Sequence, residues 1–244
     1  MGGADDITGG EVAKVPSDPV AARTAHAALA RGRAALATAV DLADGKEKEE
    51  ALLEALDAYR EARAAEPHNV AADMGMGRAL LALERWDQAR LNYERARAKD
   101  EANPDAHWGV ASALLLMERP GEAVPALTRV TELVPTFEFA WLQLTEVLVN
   151  AGELADAVLA FERAVGANPE AADLHLQYGD ALERILNQPV PALEQYNSAI
   201  ATARHPDQDN VSAGARLRAG GIHLQLEQWG EALSHFEAII GRHV

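Results

Sequence analysis

The chain has 244 residues, with 38 acidic against 22 basic side chains, a formal net charge of −16 and no cysteine. An acid excess with no cluster of Lys and Arg excludes nucleic-acid binding through phosphate neutralisation. The missing thiols exclude disulfides, thiolate metal sites and cysteine nucleophiles. An apolar share of 48%, rich in Ala and Leu and poor in β-branched and aromatic residues, points to a folded, all-α chain.

Residues 1–18 are small, polar and glycine-rich and read as a disordered tail or an expression remnant. Met1 to Asp6 lack the basic-then-apolar order of a secretory signal, and no run of about 18 apolar residues is present to span a membrane. Cytoplasm is the expected compartment. An alanine-rich helix is expected over about 21–43, stopped by Gly45. A second starts in the charged run Lys46 to Glu50, carries Leu52, Leu56, Tyr59 and Ala62, and ends before Pro67. Helix pairs follow at 69–83 with 86–99, 104–117 with 120–133, 137–150 with 153–167, 171–186 with 189–203, and 211–227 with 230–242. Breakers mark the turns within pairs at Pro120-Gly121, Gly152, Pro189 and Gly230. Prolines at 67, 104, 135, 169 and 206 mark the ends of pairs, since proline cannot continue one helix but suits the first turn of the next. The fifth pair carries a one-residue insertion, and His205 to Asn210 lengthen the connection to the sixth.

Several columns recur at a spacing of 34. Ala55, Ala89, Ala123 and Ala157 form one, and Tyr59, Tyr93, Leu127 and Phe161 follow four residues later. In the first helix of each pair a small residue (Gly77, Ala111, Thr145, Gly179) precedes a leucine (Leu80, Leu114, Leu148, Leu182) by three positions. Residues three and four apart share a helix face, so each first helix offers its partner one small residue flanked by large ones, a pattern that lets two helices approach closely. A 34-residue helical period is the mark of a stacked-hairpin solenoid.

These columns resemble the tetratricopeptide repeat. The fourth repeat fits best, with Trp141, Leu144, Thr145, Leu148, Ala157, Phe161, Ala164 and Pro169. The second, third and fifth repeats keep most positions, the sixth keeps Gly220, Ala232 and Phe236, and the first is in phase only in its second helix. The resemblance implies an all-α, right-handed superhelix of about six helix-turn-helix repeats. One solenoid domain is expected over 19–244, with repeats at approximately 19–68, 69–103, 104–136, 137–170, 171–206 and 211–244. It implies protein or peptide partners, because such repeats serve as interaction modules; the fold alone does not name the partner.

No catalytic constellation is visible, so no enzyme, cofactor or metal site is expected. Gly75-Met76-Gly77 lies inside an expected helix and lacks the strand a phosphate loop needs. His107 and His175 occupy the place held by Trp141 in the fourth repeat, which reads as packing rather than ligation. Trp141 is expected in the core, and Trp86 and Trp229, each three residues before a column alanine, as packing residues of the turns.

Trp108 lies one residue after the bulky position and is rotated by about 100° around its helix. In the resembling family the first helices line the concave side, so that rotation points Trp108 into the groove. Met74, Leu142 and Leu176 hold the same place in other repeats. Arg78, Ser112, Glu146 and Asp180 follow one turn along, then Leu81, Leu115 and Val149, with Phe139 one turn before. Acids at Glu146 and Asp180 argue against the carboxylate clamp known in the family. The apolar centre suits an apolar or amphipathic segment of a partner, which the acidic chain would favour as basic. The expected function is a noncatalytic adaptor or scaffold. The alternatives are a self-assembling platform, in which Phe236, Ile239 and Ile240 form a C-terminal self-association edge, and a regulatory segment of a longer enzyme or sensor.

Overall fold

The computed structural model describes residues 18–241, so all of the expected tail at 1–18 except Asp18 lies outside the described residues. Those residues form twelve α-helices and one 3₁₀ turn, with no strand among them. The chain divides into two compact units, residues 1–85 and 86–244, and the division falls in the turn of the second repeat.

The first unit contains α1 (Pro19–Asp41), α2 (Lys46–Ala65) and α3 (Val70–Ala82). Asp18 caps α1 by accepting from the Val20 N–H at 3.0 Å, and Pro19 occupies the first turn, where its missing N–H costs nothing. Asn69 caps α3 through the Ala72 N–H at 3.2 Å. The Tyr59 ring, 3% exposed, lies flat against Gly32 and Gly75. A Cβ at Gly75 would sit 2.3 Å from that ring, so glycine is required for the close approach.

The second unit holds α4 (Trp86–Lys99), α5 (Pro104–Leu116), α6 (Pro120–Leu133), α7 (Glu138–Ala151), α8 (Leu154–Ala167), α9 (Ala172–Arg184), α10 (Pro189–Thr202), α11 (Asp209–Gln225) and α12 (Trp229–Ile240). Each helix packs on the next, and the first helices α7, α9 and α11 also touch in succession. The columns fill this core. Ala89, Ala123, Ala157, Ala192 and Ala232 are buried, as are Tyr93, Leu127, Phe161 and Tyr196, and Leu114, Leu148 and Leu182. The one-residue insertion and the long connection are both real: a 3₁₀ turn at Pro206–Gln208 fills the latter, and α11 starts at Asp209, two residues before the expected 211.

The turns within hairpins carry a column that the breakers marked only at Gly152. Glu84, Glu118, Gly152, Asn187 and Glu227 all have φ between 52° and 77°. At Glu118 its N–H donates to the Leu115 carbonyl at 3.0 Å and the Arg119 N–H to Leu114 at 2.9 Å. The same pair of bonds recurs at Glu84, Gly152 and Glu227. This is a Schellman ending, which closes orphan carbonyls of the last helical turn. A left-handed non-glycine residue costs on the order of 1 kcal/mol, and here the two bonds and the packed hairpin hold it in place.

Of the two tryptophans expected to pack in the hairpin turns, Trp86 is half-buried, but Trp229 is 64% exposed. In the last hairpin the His223 and His235 rings stack at 5.4 Å and 18°. Burial first, then the charges of His223 and Arg216, push the His235 imidazole below its ordinary value of 6.5. The unfolded chain therefore binds the extra proton more readily. Stability from this site is complete above about 6.5 and is lost as the pH falls below it toward the folded value. Amide protection factors in α11 and α12, corrected for the intrinsic pH dependence of exchange, should fall between about pH 7.5 and pH 5, and His235→Gln should remove that site's share of the change.

Candidate functional site

The first-helix face of the second unit is built from α5, α7, α9 and α11. On its first helix, α5, Trp108 is partly exposed and stands edge-on to two phenylalanines. The ring centroids are 5.2 Å from Phe137 and 5.6 Å from Phe139, with interplanar angles of 63° and 66°. Edge-to-face packing sets the positive ring edge against the negative ring face, and such pairs add about 0.5–1.5 kcal/mol beyond area burial. Phe139 is 53% exposed. Leu142, Ser112 and Leu115 are partly exposed.

Phe137 is missing from the sequence-based list, and a column would have found it. The residues just before the first helices, 34 apart, are Asn69, Asn103, Phe137 and Ala171. Asn69 and Asn103 cap their helices, the latter through the Ala106 N–H at 3.2 Å. Phe137 stands at the same place before α7 and makes no cap. The helix gives up an N-cap worth about 1 kcal/mol, and the residue packs on Trp108 instead. Beside it, Glu138 opens α7. Burial, then the nearby charge of Asp173, raises its carboxyl above the usual range. Acidic charge thus gathers next to the aromatic cluster.

Further along the face, a hollow of about 700 Å³ lies between α7 and α9, lined by Glu146, Val149, Gln177, Asp180 and Arg184. Glu146 is exposed. Val149 and Leu176 pack against the core of the fifth and sixth hairpins while keeping part of their surface open. Asp180 is held in a network. Arg218 of α11 grips it through Nε to Oδ1 at 3.0 Å and Nη2 to Oδ2 at 3.3 Å. The Tyr196 hydroxyl of α10 stands 2.8 Å from Asp180 Oδ1 and 2.7 Å from Glu183 Oε2. One O–H donates to one acceptor at a time, so the phenol shares its proton between two carboxylates. Burial first, then the bonds to Glu183 and Asp180, drives its pKa far up, and Tyr196 stays protonated.

In the first unit, Arg78 of α3 is exposed and lines a separate hollow of about 500 Å³ with Leu36, Val40 and Leu52. Leu81 is partly exposed, but Met74 is buried at 8%. An open place for Met74 is therefore corrected: in α3 this position belongs to the core. At the C-terminal edge Phe236 and Ile239 are partly buried, and Ile240 is 66% exposed.

The histidines at the Trp141 place prove to be structural. His107 Nε2 lies 2.9 Å from the Glu101 carbonyl, Trp141 Nε1 donates to the Pro135 carbonyl at 2.8 Å, and His175 Nε2 lies 3.1 Å from the Pro169 carbonyl. Each ring nitrogen reaches the carbonyl six residues before it and ties the incoming chain to the first helix. Among the described residues no group of three or more His, Asp or Glu could hold a metal. No described helix is long and apolar enough to cross a membrane.

Helical hairpins in series, with one face of first helices left open, define a repeat protein of the interaction type. Residues 74–136 and 138–181 match tetratricopeptide repeats, so the middle of the chain carries repeats of that type. No curated protein gives a match. Among solved structures the chain is similar to MamA from Desulfovibrio magneticus, at 20% identity, TM-score 0.59, over 75% of this chain and 97% of that one. It is also similar to PilF of Pseudomonas aeruginosa, at 18% identity and TM-score 0.60, over 88% of this chain and 90% of that one. A third is YrrB, described as a tetratricopeptide-repeat protein with an unusual peptide-binding site, at 25% identity and TM-score 0.54, over 65% of this chain and 81% of that one. These likenesses bear on the fold: an all-α tetratricopeptide superhelix. Proteins of this fold are in general noncatalytic interaction modules with protein or peptide partners.

Proposed function

We propose that the protein is a noncatalytic cytoplasmic adaptor that takes an apolar or amphipathic segment of a partner protein on the first-helix face of its second unit. The observation that carries this reading is the aromatic cluster of Trp108, Phe137 and Phe139, held partly open where a helix cap is given up to build it. Around it Ser112, Leu115, Leu142 and Val149 extend the apolar track, and Glu138, Glu146 and Asp173 supply negative charge. That combination favours an apolar anchor flanked by basic residues. The peptide-binding site of YrrB is a precedent for peptide capture on this architecture. Arg78 and Leu81 hold the corresponding repeat places in the first unit, and the reading rests on the second unit alone. A photo-reactive amino acid placed at Ser112 should cross-link a segment of apolar and basic composition. The same group at exposed Leu91 of α4 should not. Equal labelling at both places would defeat the proposal.

A second reading, self-association through α12, is favoured by one stripe of that helix. Trp229, Leu233 and Ile240 are 64%, 56% and 66% exposed, and with Phe236 they recur at helical spacing on one side. Sedimentation over a hundredfold concentration range should show a dimer that Leu233→Glu abolishes. A monomer throughout would refute it.

A further inference from the structure

Away from the first-helix face, the second unit has a cleft of about 490 Å³ between the second helices α6 and α8, within the ~300–1,000 Å³ range of ligand pockets. Its floor is apolar: Trp141, Leu144 and Leu148 of α7, whose outward edges reach the cleft between the two flanking helices. Val124 and Thr128 of α6 form one wall, and Leu159 and Ala160 of α8 the other. Leu159 is 45% exposed, although a position beside so apolar a floor would ordinarily be covered.

Charge is ordered along the α8 side. Glu153 and Asp156 line the cleft at the start of the helix and Arg163 lines it near the end. Seven residues separate Asp156 from Arg163, two helical turns or about 10 Å. All three side chains lack an ion pair among the described residues, whereas the remaining charged lining residue, Glu132, is held by Arg129 at 2.9 Å. The cleft is therefore an apolar slot with an uncommitted acid at one end and an uncommitted base at the other.

We propose that this cleft is a second docking site, for a helical partner segment that inserts a bulky aliphatic side chain between a basic residue and an acidic residue two turns apart. The base pairs with Asp156 and Glu153, the acid with Arg163, and the aliphatic group fills the space above Trp141. Two separated charges of opposite sign reject a segment of uniform charge, because one end would then face a like charge as it loses water.

The test uses three labelled synthetic helices that share a central leucine pair. Their flanking residues, two turns apart, are Lys and Glu, Lys and Lys, or Glu and Glu. Fluorescence anisotropy against the full chain carrying Trp108→Asp, which removes the first-helix face, should rank the mixed peptide first, by at least fivefold. Leu159→Ser should weaken it tenfold or more. Arg163→Glu should transfer the preference to the two-lysine peptide, a readout that a loss of folding cannot produce. Trp108→Asp should leave the affinity of the mixed peptide unchanged while removing any binding of the two-lysine peptide to the first-helix face, which separates the two sites. The proposal is overturned if the mixed peptide shows no saturable binding. It is equally overturned if Leu159→Ser and Arg163→Glu leave its binding unchanged, or if Trp108→Asp abolishes it.

Discussion

Gly109→Ala should destabilise the second unit by about 2 kcal/mol, although exchanging glycine for alanine inside a helix ordinarily gains about 1 kcal/mol. The added methyl would lie 2.2 Å from the Tyr93 ring. That ring is 3% exposed and cannot swing into solvent. Overpacking of this kind costs about 1–3 kcal/mol, and so short a distance puts the cost at the upper end, above the propensity gain. The chain itself contains the compensated pair. Sixteen residues separate Tyr59 from Gly75 and Tyr93 from Gly109, but in the next two repeats Leu127 and Phe161 are followed at that distance by Gln143 and Gln177. Phe161 turns its ring onto Tyr178 instead, stacked at 5.1 Å and 10°. Tyr93→Leu should therefore suppress the Gly109→Ala defect, with a coupling of about 1–2 kcal/mol by urea denaturation. Additive effects would refute the ring contact as the cause.

The larger loss is expected at Tyr196. Its ring is fully buried, and Tyr196→Ala should cost about 3–5 kcal/mol. Tyr196→Phe keeps the ring and removes the donor that Asp180 and Glu183 share. Hydrogen bonds to charged groups contribute about 1.5–3 kcal/mol, and without the phenol Glu183 loses this donor while Asp180 keeps Arg218. Unfolding of Tyr196→Phe at about pH 7 should show that loss. Placing Asp180→Asn beside Tyr196→Phe should shrink the difference, because an amide can donate where the carboxylate cannot. A loss unchanged in the Asp180→Asn background would point to packing alone.

Much of this architecture is legible in the sequence because the repeat forces the same packing problem to be solved every 34 residues. Columns of alanine, small residues and leucine record those solutions, and helix boundaries fell within two residues of expectation for most helices. The turn column escaped notice because glutamate, at Glu84, Glu118 and Glu227, stands where a left-handed backbone would normally announce itself by glycine. Phe137 was hidden because it sits outside the helix, in a place whose usual occupant is a polar cap. Exposure was the weakest inference. Met74 and Trp229 each occupy a place shared with residues of other repeats, yet one is buried and the other open. Periodicity gives the direction of a side chain but not what neighbouring elements lay over it. The second-helix cleft was unreadable for the same reason, since its floor residues are the core leucines of the repeat.

The most direct measurement is the affinity of the segment cross-linked at Ser112, made as a free peptide, for the wild-type protein and for Trp108→Asp and Trp108→Phe. Burying one large apolar side chain contributes about 1.5–3 kcal/mol, roughly tenfold to a hundredfold in affinity. The account predicts that loss for Trp108→Asp at unchanged helicity, with near-complete retention for Trp108→Phe. Binding by Trp108→Asp within twofold of wild type would contradict it.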